Sequence, residues 1–327
     1  MSIITFRQSN REYTEAVGSL YQREVLAYLV SLKYNYNFIR SNFKFYKKQN
    51  KNLKTGNFDN LFNFFNNSKK ILKNYQIINL SNIKQIKKKN YVYNLPFHIS
   101  EKFISLLSFQ ERTDIIKKFR KNFWKHNKKK INRNKDFLQI VLHIRNSSKG
   151  DTIFGNDTLP YQLFSFDYGL PNNNPIFYKK WYVSMVRKII KENKSSKKLK
   201  IYICSTGKKK DFFYLKKELS KFCQTNFYLN IDEYKTFKKM ILADYLVLSQ
   251  SSFSYLASMI SNGKKYIRNG FRHPLPSDVE VINDRHLLKL TYFQFLYFKS
   301  LEKIAYFMLF IKNTEFKKII KNKFKFF

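Results

Sequence analysis

From Lys135 to Gly270, short apolar runs alternate with longer amphipathic segments, and this alternation restricts the fold more than any other feature of the chain. FLQIVLHIR, LKIYICST and DYLVLSQ have the length and the apolar, β-branched composition of buried strands. NFYLNI is a shorter strand, and KKYIRNG reads as the last one. Between them, IFYKKWYVSMVRKIIKEN puts Phe177, Trp181, Met185, Val186 and Ile189 on one helical face. DFFYLKKELSKF, DEYKTFKKMILA and SFSYLASMIS read as further helices. Strands that alternate with helices predict an α/β fold, a parallel sheet covered on both faces.

The rest of the chain is less regular. Tyr13 to Leu32 reads as a helix, with Val17, Leu20, Tyr21, Val25, Leu26, Leu29 and Leu32 spaced three or four apart. Residues 43–92 are rich in Lys and Asn, with weak periodicity. HISEKFISLL opens a helix with Ser100 as its expected N-cap, and helical character runs on through ERTDIIKKFRKNFWKHNKKK. The closing Lys run and INRNK read as a linker. At 327 residues the chain exceeds the ~250–300 at which single cores stop growing. The expected division is an N-terminal lobe over 1–130, a second lobe over 131–295 and helices over 296–327.

The net charge is +41, from 63 Lys and Arg against 22 Asp and Glu. Such a balance suits nucleic acid, because Lys and Arg displace counterions from phosphates. Yet the basic residues are spread along the whole chain, and Asn, Ile, Phe and Tyr are abundant along with Lys, the bias of AT-rich codons. A non-catalytic nucleic-acid-binding protein is therefore the alternative reading, supported by charge and by aromatic residues that could stack on bases. The charge also draws in phosphates and anionic lipid surfaces over long range. Cys204 and Cys223 form neither a CxxC nor a His/Cys cluster, so no disulfide framework or zinc site is indicated. The opening residues MSIITFRQSNREYTEA lack the apolar region of a signal peptide, and no apolar run approaches the ~20 residues of a spanning helix. The expectation is a cytoplasmic protein with at most peripheral membrane contact.

In an open α/β sheet, ligands bind beyond the carboxyl ends of the strands. Three strands end there in polar residues: His143-Ile144-Arg145, Ser205-Thr206-Gly207, and Ser249-Gln250-Ser251-Ser252-Phe253-Ser254, which runs straight into a helix. A helix start with Ser hydroxyls and outward N–H groups is an anion site, though Ser in this place is commonly only an N-cap. Arg145 offers a planar, bidentate charge that suits a diphosphate. Asp244 opens the third strand. Asp151, Asp157 and Asp167 lie in a loop from Asn146 to Pro175 that holds three glycines and three prolines. They are the candidates for a general base.

These residues also carry a resemblance. FLQIVLHIRNSSKGD is similar to the H-x-R-R-x-D region of the fucosyltransferase superfamily, with Asn146 at the second Arg and the Asp displaced to Asp151. IFYKKW and LKIYICSTG resemble the helix and strand end that follow it in the α1,2 branch. ADYLVLSQSSFSYLASMISNGKKYI resembles that branch's N-S-T-F-S-W-W motif, with Tyr255-Leu256 in place of W-W. GSLYQREVLAYLVSLKYN echoes the family's Gly-rich opening and first helix. The resemblance implies a GT-B architecture of two Rossmann-like lobes and an inverting transfer of fucose from GDP-fucose to a glycan, with no metal. It places His143 and Asp244 near the guanosine and has Arg145 and Ser252 hold the diphosphate. Ser205, Thr206, Ser251, Phe253 and Ser254 complete the expected donor site, and Arg145 and Asp151 are the expected catalytic pair. An inactive glycan-binding relative would keep the same motifs. The missing D-x-D suits a metal-free site.

Overall fold

The structure, a computed structural model, describes residues 3–6, 17–40, 58, 60–65, 77–80, 91–128, 131, 136–144, 175–249, 251–268, 271, 273–283 and 287. The segment 296–327, expected to be helical, lies outside them. Two parallel sheets are flanked by helices, the α/β arrangement expected. The first sheet has the order β2-β1-β4-β3, built from Ile3–Thr5 (β1), Asn37–Phe38 (β2), Ile77–Asn79 (β3) and Val92–Asn94 (β4). None of these strands exceeds three residues, which is why no strand pattern is visible in the Lys- and Asn-rich stretch. Helix α1 (Val17–Tyr34) connects β1 to β2.

Helices α2 (Phe97–Leu106) and α3 (Phe109–Asn127) follow. The expected N-cap, Ser100, is inside α2, and its hydroxyl donates to the Pro96 carbonyl. The cap forms instead at Ser108, which breaks the helical stretch in two. Its Oγ accepts from the Glu111 N–H, and the Glu111 carboxylate accepts from the Ser108 N–H. This reciprocal pairing satisfies two orphan donors of a helix start.

The second sheet contains β5 (Leu138–His143), β6 (Leu199–Ser205), β7 (Gln224–Leu229), β8 (Tyr245–Val247), β9 (Lys264–Arg268) and β10 (Val279–Ile282). The strand after KKYIRNG escapes sequence reading because VEVI is short and exposes its two middle residues. All neighbours are parallel, in the order β10-β9-β8-β5-β6-β7. Counted from β5, that is the 3-2-1-4-5-6 order of a Rossmann sheet, and its switch point lies between β5 and β8.

Helices α4 (Pro175–Glu192) and α5 (Phe213–Leu219) cover one face. There Trp181, Tyr182, Met185, Val186, Ile189, Leu215 and Leu219 pack on Ile140, Leu142, Ile201 and Val247. Helices α6 (Glu233–Ile241) and α7 (Ser252–Ile260) cover the other face. Their core is continuous with that of the first sheet, so Ile4, Tyr21, Phe62 and Phe119 share one cluster with Val141, Met240, Tyr255 and Ile267. The two sheets meet where α1 packs on α7. A Cβ added to Gly18 would lie 2.8 Å from the Phe253 Cα, so only glycine allows this approach.

One ion pair is sealed inside the N-terminal half. Arg40 Nε donates to Glu24 at 3.0 and 3.2 Å, and their side chains are 6% and 0% exposed. The guanidinium also lies over the Tyr21 ring, 5.3 Å from its centroid. Removing one partner strands a buried charge, whereas removing both does not. Arg40→Met should therefore cost about 3–5 kcal/mol. The double variant Glu24→Gln/Arg40→Met should recover most of that loss. Urea unfolding, read at constant slope, measures both.

Candidate donor-binding site at the sheet switch point

Period-two alternation in β5 sends Ile140 and Leu142 into the α4 side of the core and Val141 into the α7 side. His143, the last residue of the strand, points to the α7 side and is 9% exposed. There its Nδ1 lies 2.5 Å from Ser254 Oγ and 2.9 Å from Ser249 Oγ. Ser249 follows β8, the strand on the far side of the switch point. His143 is thus held between the two strands that frame it.

The serines are ordered among themselves. Ser254 Oγ accepts from the Ser249 N–H at 3.1 Å, and Ser251 Oγ accepts from the Ser254 N–H at 3.1 Å. Ser249 Oγ donates to Ser251 Oγ at 3.4 Å. Ser249 Oγ and Ser254 Oγ lie 3.2 Å apart, so His143 Nδ1 meets a connected pair of serine hydroxyls. From the α4 side, Tyr182 donates its hydroxyl to the His143 carbonyl at 3.0 Å. Phe253 packs against the imidazole, with ring centroids 5.6 Å apart.

Ser251 is the N-cap of α7, and Ser252 occupies the first helical position, half-buried. The Ser254 N–H goes to the cap, and the Tyr255 N–H to the Ser251 carbonyl. The N–H groups of Ser252 and Phe253 have no acceptor within the helix, as at every helix start. They add to the positive end of the helix dipole at the switch point. The seven residues from Ser254 to Ile260 are all buried, so solvent reaches this helix only at its amino end.

Ser205 and Thr206 lie on the same edge but are used differently. Ser205 Oγ donates to the Ile144 carbonyl at 2.6 Å, which ties the ends of β5 and β6 together. Thr206 is exposed. Beyond it, the Asn230 side chain accepts from the Gly207 N–H at 2.9 Å and donates to the Gly207 carbonyl at 2.8 Å. This bridge fixes the loops after β6 and β7. Gly207 has φ 123° and Asn230 φ 51°, values that glycine and asparagine tolerate best.

One expectation is corrected. Asp244 precedes β8 and sits at the amino edge of the sheet, where its Oδ2 accepts from the Gln139 N–H at 2.8 Å. Parallel strands put their amino and carboxyl ends on opposite edges, so the structure separates Asp244 from His143 by the length of β5. Ser249, read only as the end of its strand, is a partner of His143, and Asn230 is a further polar group on this edge. No sequence pattern marks Asn230. Arg145, Asp151, Asp157 and Asp167 lie outside the described residues. Among the described residues, no group of three or more His, Cys, Asp or Glu could hold a metal ion. Burial pushes the Cys204 thiol up to about 12, so it is no nucleophile at neutral pH.

No protein-family model matches the chain, and no curated protein sequence does. Among solved structures, it is similar to POFUT1 in complex with GDP-fucose, with 13% identity over 86% of this chain and 97% of that one and a TM-score of 0.40. It is also similar to E. coli heptosyltransferase WaaC with ADP, with 9% identity over 92% of this chain and 100% of that one and a TM-score of 0.42.

Ser254→Ala removes the acceptor of a buried N–H and a partner of His143. It should cost about 1–3 kcal/mol in urea unfolding. Ser249→Ala keeps the Ser254–His143 contact and should cost less. In wild type, ¹⁵N NMR of the imidazole should show a single dominant tautomer, and Ser254→Ala should shift the ring toward a tautomer mixture.

Proposed function

We propose that this protein is a glycosyltransferase that takes its sugar from a nucleoside-diphosphate donor, with fucose from GDP-fucose as the donor of choice and a glycan as acceptor. The observation that carries the reading is the meeting of a buried, serine-held histidine with a helix N-terminus at the switch point of a Rossmann-ordered sheet. Ligands of such sheets bind at that point. An anion is what a helix start with Ser hydroxyls binds best.

In this reading the diphosphate takes the N–H groups of Ser252 and Phe253 and the hydroxyl of Ser252. Arg145, two residues beyond His143, supplies the opposing charge. His143 hydrogen-bonds the donor nucleotide through Nε2, and the loops bridged by Gly207 and Asn230 border the base. The acceptor hydroxyl attacks the anomeric carbon from the side opposite the diphosphate. The bond from that carbon to the diphosphate oxygen breaks, and configuration inverts. Negative charge grows on the leaving diphosphate, where the helix dipole and Arg145 stabilise it. Asp151 is the first candidate to take the acceptor proton. The N-terminal lobe supplies most of the acceptor site, and the reaction needs no divalent metal.

Calorimetric titration with GDP, UDP, ADP and CMP tests the donor site directly. GDP should bind most tightly. Ser252→Ala should weaken it about tenfold or more, the value of one hydrogen bond to a charged group. Equal affinity in the variant, with only a lower melting point, would reduce Ser252 to a cap. Arg145→Ala should abolish turnover in a folded protein, and an unchanged rate would remove Arg145 from the site.

Sugar transfer should persist in excess EDTA. Loss of activity that Mn²⁺ or Mg²⁺ restores would overturn the metal-free mechanism while leaving nucleotide binding in place.

A further inference from the structure

A second surface on the same lobe has a chemistry that the donor site does not use. The stretch 208–222 holds six lysines against two acids. Both acids are engaged locally. Asp211 accepts from the Lys208 N–H at 2.8 Å, and Glu218 pairs with Lys221 at 2.7 Å. Lys208, Lys209, Lys210, Lys216 and Lys217 are exposed.

An apolar group stands among them. Helix α5 buries Leu215 and Leu219 in the core, and its opposite side carries Phe213, Lys216 and Lys217, spaced three and four apart. Phe213 is 67% exposed, although Phe212 beside it is fully buried. Phe222, 39% exposed, lies near the end of the same stretch with the exposed Arg187 of α4 over its ring. Because α5 follows β6, Lys208 to Phe213 stand at the carboxyl edge of the sheet, the edge of the donor site.

From this juxtaposition we infer that the outer surface of α5 and the turn before it dock on an anionic lipid bilayer. Lysines around an exposed aromatic ring satisfy a bilayer surface in two ways. The ammonium groups meet the negative headgroups, and the ring enters the boundary below them. Single-stranded nucleic acid would also take both residue types, but it is held in a charged groove that tracks its backbone. Phe213 stands on the outer side of a helix, which suits a flat partner. Docking here turns the donor edge toward the bilayer. That consequence alone rests on the transferase reading.

Vesicle flotation tests the surface without any activity assay. The wild type should float with phosphatidylcholine vesicles that contain phosphatidylserine and stay behind with phosphatidylcholine alone. Lys209→Glu/Lys210→Glu/Lys217→Glu should weaken binding on the order of a hundredfold, from roughly fivefold per lysine. Phe213→Ser should bind at low salt and release at a lower salt concentration than wild type. Lys117→Glu/Lys121→Glu/Lys125→Glu, an equal charge change on the exposed side of α3, controls for net charge and should weaken binding far less. Melting curves confirm that each variant is folded. Equal weakening by the two triple variants would leave only general attraction of a basic protein and overturn the inference. So would a Phe213→Ser protein with an unaltered salt profile. Loss of oligonucleotide binding in the α5 variant, with vesicle binding intact, would assign the surface to nucleic acid instead.

Discussion

A helix buried from its third residue to its last must have its carboxyl end satisfied within the protein. Helix α7 is that helix here, and the architecture is arranged around it. Its amino end is capped by Ser251 and opens on the switch point. Its carboxyl end is closed by α3. Trp124 Nε1 donates to the Ile260 carbonyl at 2.8 Å, and Arg120 donates from Nε to Met259 at 3.0 Å and from Nη2 to Ser258 at 3.4 Å. A cation at that end also opposes the negative pole of the helix dipole. The N-terminal half of the chain thus fixes the helix whose other end opens on the switch point.

Arg120 continues into a charge network that anchors the same end. Its Nη1 lies 2.6 Å from Asp278 Oδ2, the oxygen that also accepts from Lys265 Nζ at 2.6 Å. Lys265 is 2% exposed and donates in addition to the Ser261 carbonyl. Burial, aided by the Arg120 charge, pulls its ammonium down to about 8 against the opposing pull of Asp278. Two acceptors, the Asp278 carboxylate and the Ser261 carbonyl, hold the ammonium in place. Nearby, Tyr255 donates to the Pro274 carbonyl, and His273 pairs with Glu101 of α2. The segment before β10 is therefore held by groups from both halves of the chain.

How much of this was legible in the sequence depends on contrast. In the second sheet the strands are apolar runs set between amphipathic helices, and the two residue periods announce themselves. In the first sheet, IIN and VYN stand among lysines and asparagines and offer no run long enough to register. The site divides the same way. A rule about strand ends located His143, Ser205 and the Ser251–Ser254 cluster on one edge. The same rule, applied to Asp244, puts it on the opposite edge, because it stands before its strand rather than after it. The bridge from Asn230 to Gly207 depends on two loops whose proximity follows only from the pairing of β6 with β7.

The shared core has a consequence for how the chain comes off the ribosome. Residues of α1 and α3 complete their packing only against α6 and α7, more than a hundred positions later. Domains fold as they emerge, amino end first. Here the first sheet leaves the ribosome with Tyr21, Phe58 and Phe62 lacking the partners that α6 and α7 provide. Its apolar surface stays open until translation has passed Ile260. That interval is when a chain of this kind needs a chaperone, and a product truncated within α4 would be a substrate for aggregation and proteolysis rather than a smaller folded protein.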